Sequence, residues 1–157
     1  MRVLVDANLF VSFLLHPDRD TAVNQVVRAA VAGRFEALLP SELLEELVAR
    51  AQQKPYLASR IETADLGELV AILETTGEVL PRLERPPPRV TRDAKDDYLL
   101  AHAVAAGADI LVTGDADLLE LHAVGSLRIL TAGELMSLLG REDVGAGSSG
   151  NQVRGPK

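Results

Sequence analysis

The chain has no cysteine and no tryptophan, and only three phenylalanines and two tyrosines among its 157 residues. The first absence excludes disulfides, thiolate metal centres and cysteine nucleophiles together. Scarce aromatics leave the 47% apolar content to Leu, Val, Ala and Ile, so an aliphatic core is expected. No apolar run reaches the length that spans a bilayer, and the opening MRVLVDANLF lacks the basic flank, long apolar stretch and cleavage site of a signal peptide. The expectation is a soluble cytoplasmic protein with no membrane partner. Positive charge is also in deficit: 16 Lys and Arg stand against 23 Asp and Glu, a formal net charge of -7. This argues against a protein that grips nucleic acid by bulk attraction. It does not argue against a nuclease, because a divalent cation held by gathered carboxylates is missing from the sum.

The residues that are present fit a single domain, long enough to bury roughly 70% of the surface of its unfolded chain. Arg2 to Val5 is a short apolar run ended by Asp6, and reads as a buried strand. From Thr21, Val23, Val26, Val27, Ala30 and Val31 follow helical spacing up to a stop at Gly33. Phe35 to Leu39 predicts a second strand, and Pro40 and Ser41 open a helix with Leu43, Leu44, Leu47 and Val48 on one face. Lys54 and Pro55 break it, and another helix is expected from about Ala58 to Thr76, closed by Gly77. A short extended piece at Glu78 to Leu80 precedes RLERPPPRV, whose three prolines favour an extended connector. Asp93 to Ala106 is a helix ended by Gly107, and Asp109 to Val112 and Leu127 to Leu130 are strands. Thr131 and Glu134 form a capping box for a last helix.

Strands alternating with helices predict an α/β fold: three layers, α/β/α, around a mainly parallel, Rossmann-like central sheet. The domain is expected over residues 1–139. Residues 140–157, nearly devoid of apolar side chains, are expected to form a disordered tail.

In such sheets chemistry gathers at the carboxyl ends of the strands, near the point where strand order reverses. Asp6 ends the first strand, Glu45 and Glu46 lie in the helix after the second, Asp96 and Asp97 begin the helix after the prolines, and Asp115 and Asp117 follow ILVTG. Singly, several have a plain structural explanation: Asp115 caps a helix starting at Ala116, Asp93 caps the next helix upstream, and Glu45 and Glu46 look like a solvated face. The plain explanation is weaker for Asp6, set between two apolar stretches, and for the group as a whole. Converging carboxylates must take up protons or bind a cation, and oxygen-only ligation points to Mg2+ or Mn2+. Asp96 shares a helix face with Leu99, Leu100 and Ala103; Asp97 aligns with Leu100, Ala101 and Val104 and is a second candidate. The apolar pattern does not decide between Glu45 and Glu46.

Taken together, VDAN with Ser12 after it, SELLEEL, RDAKDDYLLAHAVAAGADILVTGD with the following ADLL, and RILTAGELM resemble the PIN domain family, metal-dependent ribonucleases often found as the toxin of a toxin-antitoxin pair. The pieces keep that family's order and span residues 1 to about 139. The resemblance implies an acid site of Asp6, Glu46, Asp96 and Asp115 with Asp117 as fifth, and prefers Glu46 because the family's acid precedes a leucine. It also implies that Asn8, Ser12 and Thr113 line the site, that RNA is cut to 5′-phosphate and 3′-hydroxyl ends, and that a cognate antitoxin or a second copy of the chain is a partner. Each assignment stays open by one residue, to Glu45 and to Asp97.

An acidic protein must still hold RNA. Arg82, Arg85, Arg89, Arg92 and Lys95, opposed only by Glu84 and Asp93, form a basic strip leading into the acid site, readable equally as a solvated connector. Arg50, Lys54 and Arg60 are a weaker second group. His16, His102 and His122 show no shared spacing and are read as surface residues. Two rivals remain: a haloacid dehalogenase-like phosphatase, which needs a second aspartate where Asn8 stands, and a response-regulator receiver, for which no DXXMP-like strand end is present. A third alternative is a PIN-like binding module with little nuclease activity.

Overall fold

The computed structural model describes residues 1–53 and 63–142. Its elements, in chain order, are β1 (Arg2–Val5), α1 (Ala7–Leu15), α2 (Ala22–Val31), β2 (Glu36–Pro40), α3 (Ser41–Gln53), α4 (Thr63–Thr76), β3 (Glu78–Leu80), α5 (Ala94–Ala105), β4 (Ile110–Val112), α6 (Ala116–Leu119), β5 (Ala123–Val124), β6 (Leu127–Leu130) and α7 (132–142). The break expected at Lys54 and Pro55, the start of the helix near Ala58, the basic residues Lys54 and Arg60, and residues 143–157 of the expected tail lie outside the described residues. Residues 140–142 continue α7.

The strands form one sheet in the order β3-β2-β1-β4-β6-β5. Every pairing among β1, β2, β3, β4 and β6 is parallel, and β5 adds an antiparallel edge. Side chains alternate between the two faces of a strand, yet Val3, Leu4 and Val5 are all fully buried, so both faces of β1 are covered. This is the α/β architecture read from the sequence, three layers deep, with an aliphatic core in which Phe10 and Phe35 are the buried aromatics among the described residues. From β1 the chain winds outward through β2 and β3, then returns to the other side of β1 to lay down β4. Strand order therefore reverses between β1 and β4, where Leu4 pairs with Leu111 and Val5 with Val112.

Local chemistry explains where several elements stop. Gly33 and Gly107 take positive φ just after α2 and α5, the left-handed turn that a helix end needs and a Cβ disfavours. The capping box on α7 is formed: Thr131 N–H donates to Glu134 Oε1 (2.8 Å), and Glu134 N–H donates to Thr131 Oγ1 (3.1 Å). Two elements had no sequence expectation. Helix α1 reads ANLFVSFLL, so continuously apolar that no helical period stands out, and it is buried at Ala7, Leu9, Phe10, Val11 and Leu14. Strand β5 is two residues long and turns into β6 through Gly125 and Ser126.

Candidate active site

The register of β1 and β4 brings the next residues of each strand, Asp6 and Thr113, to the carboxyl edge side by side. Asp6 N–H extends the pairing by donating to the Val112 carbonyl (3.1 Å), and Thr113 Oγ1 donates to Asp6 Oδ2 (2.8 Å) in a buried contact. The other oxygen of Asp6 accepts from Asn8 N–H (3.1 Å) and caps α1. Thr113 Oγ1 also accepts from Asp115 N–H (3.0 Å), so one hydroxyl joins the acid of β1 to the turn that carries the acids after β4. Asp115 caps α6 as the plain explanation holds: its Oδ1 accepts from the N–H groups of Asp117 (2.8 Å) and Leu118 (3.4 Å). Capping engages one oxygen of Asp115 and leaves its other oxygen free of the cap.

Asp96, from the first turn of α5, meets this turn. One carboxylate oxygen each of Asp96, Asp115 and Asp117 lie within 4.8 Å of one another. Asp96 is 4% exposed, and its Oδ2 is buried without a hydrogen-bond donor. Burial first, then the charges of Asp115, Asp93 and Asp6, push its pKa up to about 7. Asp6 thus bears on the cluster electrostatically although it stands outside the three-acid set. A buried carboxylate oxygen with no donor, beside two further carboxylates, is a ligand set that fits a hard divalent cation.

Asp97 faces elsewhere. Its Oδ1 accepts from Val90 N–H (3.1 Å), Thr91 N–H (2.8 Å) and Thr91 Oγ1 (3.0 Å), and Arg89 Nε lies 3.2 Å from Oδ2. Burial pushes its pKa up, but the Thr91 and Val90 amides, the Thr91 hydroxyl and Arg89 outweigh it and hold the carboxyl below its ordinary value. The two glutamates also separate. Glu46 Oε2 accepts from Lys95 Nζ (3.0 Å) and pairs with Arg50 (2.9 Å), whereas Glu45 is exposed and pairs with Arg82. Glu46 thereby touches the residue preceding Asp96 without joining the three-acid set. Asn8 is exposed and accepts from Arg50 at its Oδ1; Ser12 is exposed one turn further along α1.

The basic strip is engaged internally. Arg82 pairs with Glu45, Arg89 with Asp97, Arg92 with Asp117 (3.8 Å) and Lys95 with Glu46; among the described residues Arg85 has no acidic partner. His102 corrects the surface reading: it is 3% exposed, and its Nε2 lies 3.0 Å from Glu42 Oε1 in the first turn of α3. Glu42, from the start of α3, meets the helix face taken for solvent. Thr91 and Glu42 drew no attention in the sequence, where a lone threonine beside an arginine and a glutamate in a helical first turn carry no signal of their own.

The model of the PIN domain matches residues 2–117. Among solved structures, the crystal structure of VapBC2 from Rickettsia felis bound to a DNA fragment from their promoter is similar over 83% of this chain and 98% of that chain, with a TM-score of 0.52 and 16% identity. At that identity the likeness is one of fold. No curated protein matches the chain.

Proposed function

The chain belongs to the PIN domain family, and from that premise we propose that it is a metal-dependent endoribonuclease, using Mg2+ or Mn2+, and the toxin of a toxin-antitoxin pair. The observation that carries this reading is the convergence of Asp96, Asp115 and Asp117 at the carboxyl edge where strand order reverses, with Asp6 beside them. Those three carboxylates would hold the cation, with the unpartnered Asp96 Oδ2 among its ligands. When bound, the cation neutralises phosphate charge and lowers the pKa of an attached water.

The chain's own residues supply the rest. Asp6, fixed by the Thr113 hydroxyl and the Asn8 amide, presents an oriented carboxylate to the same pocket. Thr113 sets the spacing between the two strand ends. Asp115, which caps α6, or Asp117, in its first turn, would orient the attacking water. We assign Glu46, balanced by Lys95 and Arg50, and Asn8, bonded to the same Arg50, to the α3 side of the site, with Ser12 beyond Asn8 on α1. Arg85, Arg92 and Lys95 bind RNA phosphates, Arg92 and Lys95 exchanging internal ion pairs that are individually weak for phosphate contacts, while Arg89 is held by the buried Asp97. The likeness in fold to VapBC2, solved on DNA from its promoter, supports a cognate antitoxin as partner. Family membership sets aside the haloacid dehalogenase alternative, and Asn8, exposed and held by Arg50, supplies no second acid at the position that mechanism requires.

The test incubates the purified protein with mixed RNA and with a phosphomonoester, in Mn2+, Mg2+ or chelator, beside an Asp6→Asn, Asp96→Asn double variant. The proposal expects RNA cleavage that needs metal and falls at least on the order of 100-fold in the variant. Phosphomonoester hydrolysis without RNA cleavage, or RNA binding without cleavage in either metal, would contradict it.

A further inference from the structure

Between β3 and α5 the chain runs from residue 81 to 93 without helix or strand, and three of its residues, Pro86, Pro87 and Pro88, have no N–H with which to tie it down. It stands off α5 across a groove of about 980 Å³, with Leu83, Arg85 and Pro88 on one wall and Ala101, His102 and Ala105 on the other. A segment with so few anchors of its own must be held from outside; Glu45 and Asp117 pair with its exposed Arg82 and Arg92, and two further carboxylates reach its backbone. Near its C-terminal end, Asp97 takes the amides of Val90 and Thr91, the Thr91 hydroxyl and the Arg89 guanidinium. Towards its N-terminal end, Glu42, already paired with His102, interacts with the Leu83 amide. Asp97 is 2% exposed; three donors face its Oδ1, while its buried Oδ2 accepts no hydrogen bond and is balanced by the charge of Arg89 3.2 Å away.

We propose that Asp97 is a positioning residue, a clasp that fixes the Arg82–Arg92 connector as a strap through Arg89, Val90 and Thr91 and so holds Arg85 and Arg92 in place to receive RNA phosphates beside the acid pocket. The ligand rests on the ribonuclease reading given above; the clasp rests on geometry alone. Adjacent aspartates then divide two tasks. Asp96 turns into the three-acid pocket, while Asp97, one residue on, turns back to the strap and acts on RNA only through it. Arg89 is drawn down onto the clasp, which leaves Arg85 and Arg92, exposed on either side, as the outward cations.

The experiment compares the full chain with Asp97→Ala and with Thr91→Val, the second removing only a hydroxyl in case the first fails to fold. Tryptic cleavage after Arg82, Arg89 and Arg92 reads the strap directly and should quicken roughly tenfold in Asp97→Ala, and in the same direction but less in Thr91→Val. Binding of a single-stranded RNA oligonucleotide in chelator should weaken about five- to tenfold, with the slope of log K against log salt shallower by about one to two. In cleavage assays KM should rise while kcat holds, and Mn2+ affinity should stay within about twofold of wild type. An unchanged tryptic pattern overturns the clasp; faster tryptic cleavage with unchanged RNA affinity overturns the phosphate strap; loss of Mn2+ affinity in Asp97→Ala makes Asp97 a ligand instead. A wild-type chain that binds no RNA overturns the ribonuclease reading and the strap's ligand with it, while the tryptic pattern still decides the clasp.

Discussion

Asp96 and Asp97 are neighbours, both nearly buried, and their carboxyls are pushed in opposite directions: burial and the charges of Asp115, Asp93 and Asp6 raise Asp96 to about 7, while amide donors and Arg89 hold Asp97 low. The raised value has a consequence for stability. The unfolded chain releases this proton near pH 4, whereas the folded, metal-free protein keeps it until about pH 7, so the contribution of Asp96 to stability falls as pH rises through that window and its full cost is present above it. Asp96→Asn should therefore stabilise the metal-free protein at pH 8 by about 1–3 kcal/mol in urea unfolding and give no gain at pH 4. An equal gain at both values would place the effect elsewhere. The sequence favoured Asp96 and kept Asp97 as a second candidate, because each aligns with apolar residues on α5. What separates them is Val90 and Thr91 folding back onto Asp97, a tertiary contact that helical spacing does not encode.

At the level of elements, most of the architecture was legible because its signals are local: β1, β2, β4 and β6 are apolar runs with clear ends, α2 and α5 end at glycines with positive φ, and α7 carries its capping box. Helix α1 was hidden by being apolar nearly all round, and β5 by being a two-residue strand paired through a short turn. Gly77 was legible as a stop but not for its reason. A Cβ there would lie 2.3 Å from the Ala37 carbonyl oxygen of β2, so β3 enters the sheet only because this residue has none. Gly77→Ala should cost about 2–4 kcal/mol by chemical denaturation, the scale of an overpacked core site. Thr113 joins the ends of β1 and β4, donating to Asp6 and accepting from Asp115 N–H. Thr113→Val keeps the volume and removes both bonds; it should cost about 1–2 kcal/mol of stability and weaken Mn2+ binding by roughly 10- to 100-fold, as loss of a supporting hydrogen bond does. Unchanged metal affinity would show that the link is structural only.

Across the whole molecule, the proposed nucleic-acid binding is compatible with net acidity through arrangement rather than net charge. The formal charge of -7 is spread over the chain, but Arg85, Arg89, Arg92 and Lys95 all lie within eleven residues leading into the acid pocket. Most of these cations are paired with acids of the same chain, including Glu46 and Asp117, a pattern the sequence could not show because the partners lie in distant segments. Exposed pairs of this kind contribute little to stability, so Arg92→Gln should change it by about 0–1 kcal/mol while lowering RNA affinity and reducing the salt slope by about one. A large loss of stability in that variant would mean that the pair serves the fold instead of the substrate. The central claim is that Asp96, Asp115 and Asp117 together hold a divalent cation, and the most direct measurement is thermal unfolding during a Mn2+ titration of wild type beside an Asp96→Asn, Asp115→Asn variant. Wild type should gain about 2.7 kcal/mol at one hundred times its dissociation constant, with a melting temperature that climbs with metal, while the variant stays flat. A wild type that does not respond, or a variant that responds equally, would contradict the account.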